Sequence, residues 1–373
     1  MQFIDLKTQY ARNKEKIDKA VLDVMGDGRY IMGPQVKELE ERLAKFVGVK
    51  HCISCSNGTD AMTIPLMAMG IGEGDAVFTT AFTFFATAEV IALRGAVPVF
   101  VDIDPDTFNI DPAALEAAIE RTLKEGKLTP KAIIAVDLFG LPADYFRLRA
   151  ISKKYGLVLI EDGAQGFGGE IIGKKACSFG DVATTSFFPA KPLGCYGDGG
   201  AIFLNDDELA GKCESIRVHG KGSEKYDNVR IGLNARLDTI QAAILSCKLD
   251  IFPEEIESRQ RVARLYTERL RDVVKTPVIP KGYRSVYAQY TVMLPEGTDR
   301  SAVMAKMKER GVPTFVYYPK PMHLQGAFSA LGHKEGDFPH AEAASARVLS
   351  LPMHPYLEEA EIEQIANALR ESL

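Results

Sequence analysis

The residues Leu157-Val158-Leu159-Ile160-Glu161-Asp162-Gly163-Ala164-Gln165 run straight from apolar side chains into two carboxylates and a glycine turn. An apolar run without polar alternation reads as a strand covered on both faces, as in parallel sheets. Similar short runs stand at 51–55, 76–80, 97–101 and 131–136. Helical patterns fill the gaps between them, at 59–69, 83–93, 112–123 and 143–155. Strands alternating with helices predict βαβ units and a buried, mostly parallel sheet. Asp162 would then end a central strand, where open α/β sheets place their ligands.

Two further strands are expected at 182–188 and 200–204, joined by a glycine-rich loop. Beyond about Leu237 the texture changes. A long, charged helical pattern covers 239–271, with an interruption expected at Pro253. A strand at 287–294, a helix at 301–310, a proline-rich stretch at 312–323 and a closing helix at 358–372 follow. The reading is a large α/β domain over 1–238, then a linking helix and smaller α+β domain over 239–373.

The chain has 373 residues, 46% hydrophobic and 25% charged, with a formal net charge of −5. That balance suits an ordinary globular protein and disfavours nucleic acid or an anionic membrane as the main partner. No apolar run approaches the roughly 18 residues of a membrane span, and the first residues lack a signal pattern. The 6 cysteines make no disulfide scaffold at this length. The expected location is therefore a reducing cytoplasm.

Several motifs fail on inspection. Gly168-Gly169-Glu170-Ile171-Ile172-Gly173-Lys174-Lys175 ends in Lys where a phosphate loop needs a hydroxyl for magnesium. Its Ile171-Ile172 pair reads better as a hairpin strand. Asp102-Ile103-Asp104-Pro105-Asp106 lacks the glycine and glutamate of a calcium loop. Cys52-Ile53-Ser54-Cys55 has no second pair for zinc, and alternation sends its cysteines to opposite faces. No metal is expected.

Three other segments make sense together. In Ser56-Asn57-Gly58-Thr59-Asp60-Ala61, Gly58 and Thr59 would open a helix whose free N–H groups favour a phosphate. A plain cap by Ser56 or Asn57 explains the same residues. Asp162 lacks an obvious cation nearby in sequence, so it either pairs with a protonated heterocyclic nitrogen or caps the next turn. Lys191, in Ser186-Phe187-Phe188-Pro189-Ala190-Lys191-Pro192-Leu193-Gly194, stands among apolar and small residues. Desolvation would lower its pKa and free the amine as a nucleophile; otherwise it is a surface lysine. Phosphate cradle, carboxylate and buried amine are the inventory for holding pyridoxal 5′-phosphate as a Schiff base.

With these segments the sequence resembles the DegT-type nucleotide-sugar aminotransferases, a branch of the fold-type I pyridoxal-phosphate enzymes. The likeness includes Phe3-Ile4-Asp5-Leu6, Arg29-Tyr30-Ile31-Met32-Gly33-Pro34 and Phe82-Thr83-Phe84-Phe85-Ala86-Thr87-Ala88. Asn234-Ala235-Arg236-Leu237-Asp238, Tyr318-Pro319-Lys320-Pro321-Met322-His323 and Ser350-Leu351-Pro352-Met353-His354-Pro355-Tyr356 extend it to the C-terminal part.

The resemblance implies roles, position by position. Lys191 would carry the cofactor and move protons, and Asp162 would keep the pyridine nitrogen protonated. Gln165 would bond the phenolic oxygen, with Phe84 and Ala164 on the two ring faces. Gly58, Thr59 and Ser186 would bind the phosphate, joined by Asn234 from the partner of a homodimer with shared sites. Arg236 would meet a carboxylate of the donor or substrate, and Tyr318 and His323 would border the sugar cleft. Asp137 and Tyr317 stand where many members carry His.

Ser285-Val286-Tyr287-Ala288-Gln289-Tyr290 and the Lys191 loop are most similar to aminotransferases acting on UDP-2-acetamido-2-deoxy-3-oxo-glucuronate in O-antigen sugar synthesis. The implied reaction moves the amino group of L-glutamate to C3 of that UDP-linked keto sugar. A 4-keto-6-deoxy hexose nucleotide is the alternative substrate, and a pyridoxal-phosphate-binding regulator the alternative class.

Overall fold

The apolar runs become strands and the segments between them become helices. The computed structural model describes residues 1–224 and 226–373. Helices α1 (Leu6–Asp27) and α2 (Pro34–Val47) precede β1 (His51–Cys55), α3 (Gly58–Ala68), β2 (Asp75–Thr80) and α4 (Ala86–Leu93). Next come β3 (Val97–Val101), α5 (Pro112–Glu125), β4 (Thr129–Val136), α6 (Tyr145–Tyr155) and β5 (Val158–Asp162). A hairpin of β6 (Glu170–Ile171) and β7 (Lys174–Lys175) leads to β8 (Val182–Ser186), β9 (Gly200–Leu204) and α7 (Asp207–Arg217). The rest comprises α8 (Thr239–Leu270), β10 (Tyr283–Arg284), β11 (Tyr290–Met293), α9 (Arg300–Glu309), α10 (Pro339–Arg347), β12 (Val348–Leu351) and α11 (Glu359–Ser372).

The main sheet has the order β1-β9-β8-β5-β4-β2-β3. Strand β9 runs antiparallel to β1 and β8, and the other pairings are parallel. The strands other than β9 therefore end at one edge, which collects the loops carrying Gly58, Phe84, Asp137, Asp162 and Lys191. Helices cover both faces. Cys55 packs with α3 and α7 on one face, and Cys52 with α2 and α8 on the other, as strand alternation requires.

A second core gathers Val262, Tyr266 and Leu270 of α8 with Val292, Leu351, Met307 and Leu369. The front half of α8, including Leu245, Leu249, Phe252 and Ile256, belongs to the first core. One helix thus enters both.

Three expectations need correction. Helix α8 runs through Pro253 without a break. The ring lies on the exposed side, while Phe252 and Ile256 hold the helix to the core. The strand expected from residue 287 starts at Tyr290, because Tyr287 has φ of 49°, which no strand accommodates. Helix α4 starts at Ala86 rather than 83: the Phe82 N–H donates to the Thr80 hydroxyl at 3.1 Å, forming a turn first.

Candidate active site

The loops at the common strand edge enclose a cavity of about 430 Å³. Gly58, Thr59, Phe84, Asp162, Ala164, Gln165, Ser186, Lys191 and Tyr318 all line it. They arrive from the ends of β1, β2, β5 and β8 and from the 317–323 segment.

The Asn57 side chain accepts from the Asp60 N–H at 2.8 Å and caps α3. Cap and cradle are therefore compatible: Asn57 takes one amide, while Gly58 and Thr59, the first two helical residues, keep N–H groups the helix cannot satisfy. Side-chain volume is excluded there, since a Cβ on Gly58 would come 2.7 Å from Ser186 Cβ.

Asp162 is buried. Its Oδ2 accepts from the Thr87 hydroxyl at 2.9 Å, and its Oδ1 accepts from the Ala164 N–H at 3.2 Å. Burial raises its pKa; the Thr87 hydroxyl, the Ala164 N–H and the charge of Lys191 oppose that rise. Lys191 answers in the opposite sense. Desolvation lowers the pKa of its amine, and the Asp162 carboxylate offsets part of the drop. Neither group has the solvation it would have in water, and no other side chain compensates fully.

The Lys191 turn is itself clamped. The Lys191 N–H donates to Phe188 O at 2.8 Å, and the Cys195 N–H to Phe187 O at 2.8 Å. From α8, the buried Lys248 ammonium donates to Gly194 O and lies 4.8 Å from the Tyr196 ring centroid.

Gln165 Oε1 accepts from the Phe139 N–H at 2.7 Å, and Nε2 donates to the Tyr318 hydroxyl at 3.0 Å. One Nε2 hydrogen remains for a ligand. The exposed Phe84 ring lies 6.2 Å from that of Tyr318 at the cavity wall. Tyr317 also lines the cavity.

Three expected residues do not line it. His323 is buried elsewhere: its Nε2 lies 3.0 Å from Glu342 Oε1 and its ring 4.6 Å from that of Phe338. The expectation that it borders the cleft is corrected, because the Met322 N–H donates to Ala81 O at 2.7 Å and turns the chain inward. Asn234 and Arg236 lie outside this chain's own cavity, where Arg236 Nη2 donates to Asn234 Oδ1 at 2.5 Å. Sequence reading gave no role to Thr87, Thr83 or Gln289, all of which line the cavity.

A desolvated amine beside a buried carboxylate, with an amide-rich helix start opposite, fits pyridoxal 5′-phosphate in ring nitrogen, aldehyde and phosphate alike. The fold and this donor set define a fold-type I pyridoxal-phosphate transferase. The chain belongs to the DegT/DnrJ/EryC1/StrS aminotransferase family, whose model matches residues 11–370. Its cofactor is pyridoxal 5′-phosphate, as in solved relatives that hold this cofactor or its amine form.

The chain is 53% identical over 372 residues to UDP-2-acetamido-2-deoxy-3-oxo-D-glucuronate aminotransferase of Pseudomonas aeruginosa, covering 99% of both chains. It is 48% identical over 373 residues to the pleiotropic regulatory protein of Geobacillus stearothermophilus, covering 99% of this chain and 97% of that one. The solved structure of a DegT DnrJ EryC1 StrS aminotransferase from Brucella abortus superposes with a TM-score of 0.97 at 53% identity. That match covers 100% of this chain and 99% of the other.

Proposed function

We propose that this enzyme transfers the amino group of L-glutamate to C3 of UDP-2-acetamido-2-deoxy-3-oxo-glucuronate, supplying an amino sugar for O-antigen synthesis in the cytoplasm. The observation that carries the substrate is the 53% identity to the Pseudomonas aeruginosa enzyme along 99% of both chains. The six cysteines, all free among the described residues, suit a reducing compartment. No helix among the described residues is long and apolar enough to cross a membrane.

In this reading Lys191 holds the cofactor by its amine, Asp162 by the ring nitrogen, Gln165 by the phenolic oxygen, and Gly58, Thr59 and Ser186 by the phosphate. Phe84 and Ala164 flank the ring. The bound cofactor supplies an electron sink for the carbon that loses a proton. Burial pushes the Lys191 amine below its ordinary pKa, which favours the free base that can accept that proton at Nζ. The Thr87 hydroxyl and the Ala164 N–H favour the ionised form of Asp162 against its burial, and that carboxylate would balance a positive ring nitrogen.

We assign Asn234 and Arg236 to the partner subunit's site in a two-fold homodimer. Their position outside the cavity of their own chain supports this. Arg236 would meet the carboxylate of glutamate or of the sugar acid, and Tyr318 the sugar. The division into residues 1–238 and 239–373 is likewise a proposal, with α8 shared between the two cores.

The test is mass spectrometry of products from glutamate and a panel of UDP- and dTDP-linked 3-keto and 4-keto sugars. Amination of the UDP-3-keto uronate alone, or at least tenfold preferentially, is expected. Preference for a 4-keto-6-deoxy hexose nucleotide would refute the substrate. The name of the Geobacillus relative favours a regulatory reading, and turnover on no member of the panel would point there.

A further inference from the structure

Directly beneath the cofactor-side loop lie two buried carboxyl groups that the reaction does not use. Asp137 follows β4 and Glu161 belongs to β5; both have no exposed surface. Glu161 is well supplied with donors. It accepts from the N–H of Cys177, from that of Phe179 at 2.7 Å and from that of Gly180 at 3.2 Å. Asp137 is not. Its Oδ1 accepts from the Tyr145 hydroxyl at 2.7 Å and the Ala143 N–H at 3.0 Å, but its Oδ2 has no donor among the described residues.

The side-chain neighbour of Asp137 is Glu161, a second acceptor. The groups bonded to the pair are the Tyr145 hydroxyl and backbone amides, with no cation among them. Two ionised carboxylates in such a place would leave an uncompensated buried charge as well as an orphaned oxygen. One proton removes both costs. We propose that Asp137 is a neutral acid that donates its proton to Glu161, and that this acid–carboxylate pair is the seat that positions Asp162 and Gln165.

The proton belongs on Asp137 because Asp137 has the empty oxygen, while Glu161 already accepts three amides. Burial first, and then the Glu161 charge, push Asp137 well above the ordinary carboxylate range. The titratable groups facing the pair from other elements are Tyr145 of α6, Cys177 before β8, and Asp162 itself; burial raises all three, so none supplies a positive charge.

The seat bears on the site through short links. The Asp137 N–H donates to Asp162 O at 3.0 Å, and the Phe139 N–H, two residues on, donates to Gln165 Oε1 at 2.7 Å. The backbone of Gly166 crosses Asp137 so closely that a Cβ there would overlap its carboxyl. Asp137 is thus a positioning residue. That half of the proposal rests on the reading of Asp162 and Gln165 as cofactor residues; the shared proton does not.

The test uses the holoenzyme with aspartate carrying carbon-13 in the side-chain carboxyl. Its infrared spectrum in deuterated buffer at neutral pD should contain an isotope-shifted carboxylic-acid band that disappears in Asp137→Asn. An amide at 137 can donate to Glu161 through Nδ2 and accept from Tyr145 and Ala143 through Oδ1. Asp137→Asn should therefore keep the visible cofactor absorbance and bind cofactor within about threefold of the parent. Asp137→Val, which can do neither, should bind it at least tenfold more weakly. Absence of an acid band assignable to Asp137 would overturn the shared proton whatever the cofactor does. If Asp137→Asn lost the cofactor as Asp137→Val does, the positioning role would fall. Should Asp137→Val not fold, the band and the Asp137→Asn absorbance still decide the proposal.

Discussion

Replacing Thr87 by Val tests the electrostatics of the site by removing a single hydroxyl from its wall. The two side chains have nearly the same volume, but Val removes the hydroxyl that donates to Asp162 Oδ2 at 2.9 Å. A hydrogen bond to a charged group contributes about 1.5–3 kcal/mol. Thr87 is buried, so water cannot replace it freely. If that energy is spent on keeping Asp162 ionised, its loss slows the step that needs the carboxylate by roughly 10- to 100-fold at about 1.4 kcal/mol per decade. The sign with pH follows from the same bond. Asp162 is already raised by burial, and Thr87 opposes the rise. Without it the carboxyl stays protonated to higher pH, so the deficit is largest in acid and shrinks as pH rises. The assay is kcat/KM for the amino donor between pH 6 and 9 in parent and variant, with cofactor content measured in each. A variant within twofold of the parent throughout, or one whose deficit grows with pH, would refute the reasoning.

Lys191→Ala should abolish turnover while the circular dichroism of the fold persists, and borohydride should fix the cofactor of the parent on the peptide that contains Lys191. Fixation on another lysine would remove Lys191 from its role. Asp162→Asn should keep bound cofactor but lose at least two orders of magnitude in kcat, because an amide cannot balance a positive ring nitrogen; near-normal turnover would contradict that. Lys191→Ala and Arg236→Ala should each be inactive as homodimers, yet verified mixed dimers should regain one working site of two. No recovery in folded mixed dimers would place each site within a single chain.

Much of the fold could be read locally because its strands are short apolar runs ended by polar turns. The run ending at Asp162 is the clearest case: its apolar residues predict burial, and the abrupt carboxylates mark the sheet edge. Lys191 was readable for the same reason, as a cation out of place among small and apolar neighbours. What could not be read depends on partners distant in the chain. Thr87 meets Asp162 across 75 positions, and nothing near Thr87 announces the carboxylate. The family resemblance implies a cleft position for His323, but the anchoring of Met322 to Ala81 turns it toward Glu342 instead. Pro253 misled for the converse reason: a local helix-breaking rule was overridden by packing on either side of it.

The passage of α8 through both cores has a consequence for how this chain can vary in length. Lys248, on the first core, grips the carbonyl of Gly194, and Arg259, further along, donates to Tyr287 O at 3.0 Å. One residue inserted between them would advance the far end by about 1.5 Å and rotate it by about 100°. Arg259 would then point away from Tyr287 while Lys248 stayed in place. The two grips behave as teeth on one shaft, phased to each other by the number of residues between them. Insertions can therefore accumulate in the exposed loops of either half, but the stretch from Lys248 to Arg259 admits none without turning the C-terminal core out of alignment with the lysine turn.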